Sequence, residues 1–242
     1  MARITKKDIY ASFGIEYNPK TQKIKTPYGW TRELLKKGNS KVGANVKTWS
    51  MNTSTCCCHC EGCYGERGCY RFASVQKALA LNTNLARNEL SFWTRAIMAQ
   101  CATLKPGTEI RIHCVGDFFS LEYVNAWHEI IKAYPELIFW TYTKTQYESA
   151  FDDLENANIV KSIVNGKLNF GHCDHVMSLY EELTTAGESV HICRCGVDDE
   201  QHCEGCHKCS ISKYVLFLEH STGYDAKSDP LFDTLAAIIN NQ

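Results

Sequence analysis

The chain has 242 residues, of which 44% are apolar and 22% are charged, the composition of an ordinary folded, water-soluble domain. It contains no apolar run long enough to cross a bilayer, and its first ten residues lack the apolar region of a signal peptide. These features argue against an integral membrane protein and against a disordered chain. We therefore expect a cytoplasmic protein with one full-sized core and no membrane partner.

The formal net charge is −1, but the charges are unevenly distributed along the chain. Residues 1–47 carry 11 Lys and Arg against 3 Asp and Glu, a net charge of +8, and the remainder carries −9. This asymmetry predicts a basic N-terminal arm over residues 1–45, followed by a single α/β domain over residues 46–242. The arm is either a solvated extension lying on an acidic body or a surface that contacts nucleic acid.

The pattern of apolar residues predicts alternating strands and helices along most of the chain. Residues 1–38 are polar and interrupted by prolines, which predicts an irregular segment with one short helix near residues 31–37. Residues 46–51 alternate as a first strand. The later elements are predicted as helices at 74–80 and 85–104, a strand at 109–115, a helix at 121–133, a strand at 137–142, a helix at 146–156, strands at 158–164 and 167–170, a helix at 175–186, strands at 189–193 and 213–219, and a helix at 230–240.

This order of elements predicts an α/β fold, because alternating strands and helices form parallel sheets with right-handed crossovers. About six strands suit a partial (β/α)6 barrel, and an open parallel α/β sheet is the alternative. In either fold the loops that follow the strands share one edge of the sheet. We therefore expect Gly116, Asp117 and Lys144 to meet the cysteine-rich segments at that edge.

Cysteines are concentrated in two segments, the first cysteine loop (residues 56–69) and the second cysteine loop (residues 193–209). The first loop holds 6 of the 14 cysteines and the second holds 5. Thiolates are soft ligands that select zinc or iron–sulfur clusters, and disulfide frameworks are rare in the reducing cytosol. Both loops are therefore predicted to bind metal.

The spacing within the first loop allows two ligand sets. Cys56, Cys60 and Cys63 form C-x-x-x-C-x-x-C, three thiolates that would leave one iron of a cubane cluster open. Read from Cys57, the spacing is C-x-x-C-x-x-C, which is typical of a fully ligated cluster or a zinc knuckle. The choice among Cys56, Cys57 and Cys58 stays open at this point.

The second loop offers more ligands than one metal needs, since four are enough for a tetrahedral zinc or a fully ligated cluster. The candidates are Cys193, Cys195, Cys203, Cys206 and Cys209. The pentapeptide HCEGC occurs at residues 59–63 and again at 202–206. The chain has either two metal sites of similar local shape or one zinc shared between the two loops.

A first strand that ends in C-x-x-x-C-x-x-C, on a chain of strand–helix repeats, resembles the radical S-adenosylmethionine superfamily. The resemblance implies that Cys56, Cys60 and Cys63 hold a 4Fe–4S cluster whose open iron binds S-adenosylmethionine. It implies that Gly116 and Asp117 bind the methionine amino group, in place of that superfamily's Gly-Gly-Glu motif. The sequence departs from the superfamily in having one glycine before the acid and a glycine where an aromatic residue usually precedes the third cysteine.

Four further residues are candidates for contacts with a cofactor. Arg111 and His113 alternate with isoleucines, which predicts that both point to one side of their strand. Lys144 ends a strand, where it is placed to meet a carboxylate or a phosphate. Tyr64 follows the third cysteine and is a candidate to stack on an adenine.

A second likeness covers most of the chain. It includes residues 38–41 (GNSK), 63–64 (CY), 111–118 (RIHCVGDF), 142–144 (YTK), Tyr123, Trp127 and the C-x-x-C-x-x-C run of the second loop. These motifs resemble the phage gene product 88 family, small proteins encoded by viruses and bacteria. The resemblance implies a phage protein that acts in the host cytoplasm, and it implies no particular activity.

These features together favour an iron–sulfur protein, a radical S-adenosylmethionine-type enzyme with one or two 4Fe–4S clusters. Its substrate is left open among small molecules, peptides and nucleic acids, and a reductase or flavodoxin is the expected electron donor. One alternative is a zinc-stabilised phage protein that binds nucleic acid. The other is an iron–sulfur electron carrier or redox sensor without S-adenosylmethionine chemistry.

Overall fold

The computed structural model of the chain describes residues 4–38, 43, 45–57, 63–193, 206–218 and 225–242, with the backbone alone for Tyr64. Three of the predicted cysteine ligands, Cys60, Cys195 and Cys203, lie outside the described residues. No helix in the described part of the chain is both long enough and apolar enough to cross a membrane.

The N-terminal segment is folded, and it begins with helix α1 (Lys6–Ser12). A capping box starts this helix: the Thr5 hydroxyl accepts the Asp8 N–H at 3.3 Å, and the Asp8 carboxylate accepts the Thr5 N–H at 2.9 Å. Strands β1 (Tyr17–Asn18), β2 (Lys23–Thr26) and β3 (Gly29–Arg32) follow and form an antiparallel sheet in the order β1-β2-β3.

The helix predicted near residues 31–37 is wrong. Residues 31 and 32 belong to β3, and Lys36–Lys37 forms the next strand, β4. The physical reason is the turn at residues 27–28: it brings Gly29, with φ of +105°, opposite Thr26 and folds β3 back along β2. The long-range pairing of β3 with β2 therefore overrides the local helical pattern.

This N-terminal segment packs into the main core, so the expectation of an irregular extension is also wrong. Ile15, Ile24 and Leu34 are all buried in that core. Helix α3 (Leu90–Cys101) fixes the end of the segment, because the Gln100 amide accepts the Leu35 N–H at 2.8 Å and donates to the Leu35 carbonyl at 2.7 Å.

A five-stranded sheet forms the centre of the molecule, with the strand order β4-β5-β6-β7-β8. Its strands after β4 are β5 (Lys47–Thr48), β6 (Glu109–Arg111), β7 (Ile138–Thr143) and β8 (Ala157–Lys161). β4 is antiparallel to β5, and the other pairs are parallel. The helices of this region are α2 (Ala73–Asn88), α3 (Leu90–Cys101) and α4 (Leu121–Ala133), and they pack on one face of the sheet.

A smaller three-stranded parallel sheet follows, in the order β11-β13-β12. Its strands are β11 (Phe170–Gly171), β12 (Val190–Ile192) and β13 (Tyr214–Leu218), preceded by the hairpin of β9 (Ile163–Val164) and β10 (Lys167–Leu168). Helices α5 (Cys173–Thr185) and α6 (Phe232–Asn240) pack with it around a second hydrophobic core.

Backbone hydrogen bonds connect the two sheets. Ser162 donates to the Thr143 carbonyl at 2.7 Å and accepts from Asn169 at 2.9 Å, and the Asn169 carbonyl accepts from Phe217 at 2.9 Å. The described strands thus form open, connected sheets, with β13 between β11 and β12. A mixed α/β fold with parallel strands is confirmed, although β12 and β13 do not follow the chain order that a sequential barrel would require.

The helix predicted at residues 146–156 is wrong, since this connection contains only a 3-10 turn at Glu148–Phe151. Asn156 explains why the chain cannot continue as a helix there. Its side-chain amide lies 3.0 to 3.1 Å from the carbonyls of Ile131, Tyr134 and Leu137, so it closes the end of α4 and directs the chain into β8.

Candidate metal centre at the carboxyl edge of the sheet

The first cysteine loop is closed at its base. Asn52 caps the 3-10 turn at Thr53–Thr55 by accepting the Ser54 N–H at 2.9 Å. On the returning side, a Cβ atom on Gly65 would lie 3.0 Å from Thr53 and 2.8 Å from Val115, so only glycine fits there. Residues 53–57 and 63–66 therefore lie side by side next to the end of β6.

Cys56 and Cys63 lie on the two segments that this contact joins. Cys56 follows the 3-10 turn directly, and both cysteines are partly buried. Cys57 is exposed, and its Sγ lies 3.6 Å from the backbone carbonyl of Lys144, the residue after β7. The expected meeting of the first cysteine loop with Lys144 is thus observed.

Gly116 packs directly against the base of the same loop. Its φ is +88°, and a Cβ atom there would lie 2.7 Å from the Thr55 hydroxyl and 3.0 Å from the Met51 side chain. That hydroxyl accepts the Asp117 N–H at 3.2 Å. The turn after β6 therefore needs glycine for two reasons, its left-handed backbone and the close approach of Thr55.

The carboxylate of Asp117 is buried and holds three donors of the protein itself. Oδ1 accepts the Thr143 hydroxyl at 2.7 Å and the Phe118 N–H at 2.8 Å, and Oδ2 accepts the Lys144 N–H at 2.9 Å. Burial raises the pKa of Asp117, and these hydrogen bonds oppose that effect. Asp117 thus links β6 to β7, and its contact with a methionine amino group stays a prediction.

Arg111 lies on the sheet face opposite the helices. Its guanidinium stacks on the rings of Trp140 and Tyr142, at 5.2 and 5.9 Å from their centroids. The neighbouring Ile110 points to the buried helical side. Arg111 therefore presents a delocalised cation on the face where the second cysteine loop packs.

His113 does not share that face, so the predicted common orientation of Arg111 and His113 is wrong. Its φ of +55° breaks the strand alternation and turns the imidazole into the helical core. The Tyr123 hydroxyl accepts the Trp49 Nε1–H at 2.8 Å and lies at hydrogen-bonding distance, 2.9 Å, from His113 Nε2. Burial lowers the pKa of His113 to about 3, so the ring is neutral and inaccessible.

The second cysteine loop reaches the strand that also meets the first. Cys193 follows β12 and donates its N–H to Leu216 at 2.8 Å. The Cys209 carbonyl accepts the Asn158 amide at 2.8 Å. Burial raises the pKa of the Tyr142 hydroxyl well above its usual value, and the adjacent Cys209 and Cys193 raise it further. Cys193 and Cys209 are therefore near enough to Tyr142 to raise the pKa of its hydroxyl, whereas Cys206 is exposed.

Tyr142 and Lys144 bring the two cysteine loops together. Because these residues are two positions apart in an extended chain, their Cα atoms are about 7 Å apart. Cys57 contacts Lys144, and Cys193 and Cys209 lie beside Tyr142. Within the described ranges no three metal-ligating side chains form a preformed site.

Sequence analysis missed Glu109, which attaches the second cysteine loop to the sheet. Its carboxylate contacts His207 Nδ1 and accepts the Trp140 Nε1–H at 3.1 Å. The signal was present in the alternation of Glu109 and Arg111 around Ile110, which places both charged side chains on one face. That face is the one on which residues 207–212 lie.

The fold and this site define a mixed α/β protein in which the described part of the first cysteine loop lies at the carboxyl edge of a parallel sheet and the end of the second cysteine loop packs on one face of that sheet. Comparison with known proteins adds a family: the chain belongs to the Gene product 88 family, which matches residues 17–223. The resemblance to that phage family is thereby confirmed. The resemblance to the radical S-adenosylmethionine superfamily stays a prediction.

Two curated phage proteins are similar to parts of the chain. It is 37% identical over 62 residues to the Gene 88 protein of Mycobacterium phage L5, an alignment covering 26% of each protein. It is 39% identical over 51 residues to the Gene 88 protein of Mycobacterium phage D29, covering 21% of each. The chain therefore spans about a quarter or less of the length of these relatives. No solved structure matches the chain.

Proposed function

We propose that this protein is an iron–sulfur enzyme of the radical S-adenosylmethionine type, with a partial-barrel arrangement of its parallel strands. Cys56, Cys60 and Cys63 would hold a 4Fe–4S cluster, and the second cysteine loop would hold a second cluster or metal. The observation that supports the proposal is that both loops reach β7. The Cys57 thiol lies 3.6 Å from the Lys144 carbonyl, and the Cys209 carbonyl accepts the amide of Asn158, which pairs with Trp140 of β7.

The donor set fits an iron–sulfur cluster. The predicted ligands are thiols only, which favour iron–sulfur or zinc over hard cations. The Asp117 carboxylate beside the loop is turned inward and bonded to Thr143 and Lys144, and the Glu66 carboxylate within the loop lies 3.3 Å from the Thr53 hydroxyl. Cys56 and Cys63 are partly buried, which suits a cluster that is shielded from water but open on one side.

When bound, a reduced 4Fe–4S cluster with one open iron supplies an electron to S-adenosylmethionine, and the protein supplies position and electrostatics. Lys144, whose backbone carbonyl contacts the Cys57 thiol, and Arg87, whose guanidinium donates to the Ser54 carbonyl at 3.1 Å, are cations beside the first loop and would offset the negative charge of thiolate ligands. Arg111, planar and stacked on Trp140, is suited to hold a carboxylate with two hydrogen bonds. Asp117 positions both the Lys144 backbone and the base of the first loop.

Metal and acid-labile sulfide analysis of anaerobically purified protein tests the proposal. We expect about eight iron and eight sulfide per chain, and about half of each in the variant with Cys56, Cys60 and Cys63 changed to Ala. Cys69→Ala is the matched control, because Cys69 is an exposed thiol in the same loop outside the predicted ligand set. Zinc without sulfide in the parent protein would rule the proposal out.

A second assay separates the enzyme from a simple electron carrier. The protein reduced by dithionite, or by a flavodoxin with its reductase, should cleave S-adenosylmethionine to methionine and 5′-deoxyadenosine. The variant lacking the three cysteines should not. Cluster content without cleavage in the parent would favour an iron–sulfur electron carrier or redox sensor.

One observation favours a second candidate, a zinc-stabilised phage protein without redox chemistry. Residues 207–212 lie across the sheet face that a barrel enzyme keeps open for substrate, and Asn158 holds them there through the carbonyls of Cys209 and Ser212. A zinc ion in the second loop would then act as a structural link between β12 and β13. In that case a chelator would remove zinc and lower the melting temperature, and no sulfide would be found.

A further inference from the structure

The outer face of the N-terminal sheet carries an unusual set of side chains. Lys23 pairs with Arg32, and Lys25 pairs with Trp30, across strands β2 and β3. Residues that are opposite each other in an antiparallel pair lie on the same face. Because Ile24, between the two lysines, is buried in the main core, these four side chains point away from it.

Trp30 is the exposed tryptophan of this protein. Its relative exposure is 43%, whereas the other four tryptophans are at most 5% exposed. The Lys25 ammonium lies 5.8 Å from the Trp30 ring centroid, and Tyr28 in the adjoining turn is 49% exposed. Two aromatic rings therefore stand at the solvent-exposed end of this hairpin, beside cations.

The charge around this face is positive. Lys20 in the β1–β2 turn adds to Lys23, Lys25 and Arg32, and all four belong to one small sheet. Glu16, which precedes β1, is the acid nearest to them in this sheet. The other two acids of the segment are engaged elsewhere: Asp8 caps α1, and Glu33 pairs with Lys6 at 2.6 Å.

We propose that this outer face binds single-stranded nucleic acid. Trp30 and Tyr28 would stack on bases, and Lys23, Lys25 and Arg32 would contact phosphates. Exposed aromatic rings interleaved with cations suit bases that are unpaired, since the bases of a duplex are stacked on each other and cannot reach a flat ring. No cysteine takes part, so this inference does not depend on the proposed metal chemistry.

The test measures the binding of a fluorescein-labelled twelve-nucleotide oligothymidylate to the full chain by anisotropy, at several salt concentrations. If the three cations each contact a phosphate of single-stranded DNA, the logarithm of the association constant should fall with the logarithm of the salt concentration, with a slope of about −2. Trp30→Ala should weaken binding by about tenfold, and Trp30→Phe should retain most of it. The oligonucleotide should quench the Trp30 component of the fluorescence selectively, because the other tryptophans are buried.

Two triple variants test whether binding depends on this particular face or only on the net charge of the protein. Changing Lys23, Lys25 and Arg32 to Gln should abolish most binding and flatten the salt dependence. Changing the exposed Lys77, Lys105 and Lys132 to Gln removes the same charge from the body and should leave binding unchanged. All substituted side chains lie at the surface or partly exposed, and thermal melts of each variant confirm that the fold is kept.

Four results would overturn the inference. The first is no binding by the parent protein at low salt, and the second is an equal loss in the two triple variants. The third is equally tight binding of a duplex of the same length, which would remove the role of stacking. The fourth is equally effective competition by polyglutamate, which would point to an acidic protein as the partner.

Discussion

The carboxylate of Asp117 accepts the backbone N–H of Lys144 at 2.9 Å, although the two residues are 27 positions apart in the chain. This bond joins the ends of β6 and β7. The Asp117 N–H in turn donates to Thr55 at the base of the first cysteine loop. The position of that loop thus depends on a buried carboxylate that touches none of the predicted cysteine ligands directly.

Asp117→Asn tests the importance of this link. An amide has one acceptor oxygen, so either the Thr143 hydroxyl or the buried Lys144 N–H loses its partner. We expect the free energy of unfolding to fall by about 1–3 kcal/mol, measured by urea denaturation. The exposed Asp152→Asn is the control. Equal stability of the two variants would show that the link contributes nothing.

Gly116→Ala should be more damaging than Gly107→Ala. Both glycines have positive φ, +88° and +78°, so both substitutions cost about 1 kcal/mol in backbone strain. At Gly116 the new Cβ also meets the Thr55 hydroxyl at 2.7 Å, whereas nothing lies within 4 Å at Gly107. We expect the melting temperature to fall further in Gly116→Ala than in Gly107→Ala, and any metal held by the first loop to be retained less well in Gly116→Ala alone. Similar melting temperatures would contradict the close approach of Thr55.

His113 should make the protein less stable in acid. Its pKa is about 3 in the folded state against an ordinary value of 6.5, so the unfolded chain binds the proton first as the pH falls. The stability that comes from burying the neutral His113 ring is therefore fully present above about pH 6.5 and is lost as the pH falls towards 3. Over that range we expect the free energy of unfolding to decrease by roughly 1 kcal/mol per pH unit.

The pH dependence of the free energy of unfolding, and not its value at one pH, identifies His113 as the group that titrates. His113→Asn lowers stability at every pH, because Asn fills less of the core, but it should remove this part of the pH dependence. Asn also tolerates the positive φ at this position. His128→Asn, at a partly exposed histidine on α4, should keep the slope of the parent protein. An unchanged slope in His113→Asn would contradict the assignment.

Glu109→Gln should loosen the second cysteine loop without affecting the first. The substitution removes the charge that faces His207 but leaves an amide oxygen for the Trp140 N–H. We expect metal bound by the second loop to pass to a chelator about tenfold faster, as is typical when a residue supporting a metal site is changed. Glu136→Gln, at an exposed site, is the control. Equal rates in the two variants would mean that Glu109 does not hold the loop.

The sequence by itself determined those features that depend on neighbouring residues. The helix predicted at 121–133 agrees with α4, because apolar spacing and the Ser120 cap are local signals. The strands at the centre of the sheet and the meeting of the first cysteine loop with Lys144 were predicted from alternation and spacing. Membership of the Gene product 88 family followed from short motifs, each of them a local run of residues.

The tertiary structure alone decided features that depend on partners distant in the chain. The backbone turn at His113 moves that side chain from the face of Arg111 into contact with Tyr123, which alternation cannot reveal. The N-terminal strands form because β2 and β3 pair, although residues 31–37 have a helical pattern. Burial in a core and pairing across a sheet outweigh local preferences, and neither can be read from the residues next to each other in the chain.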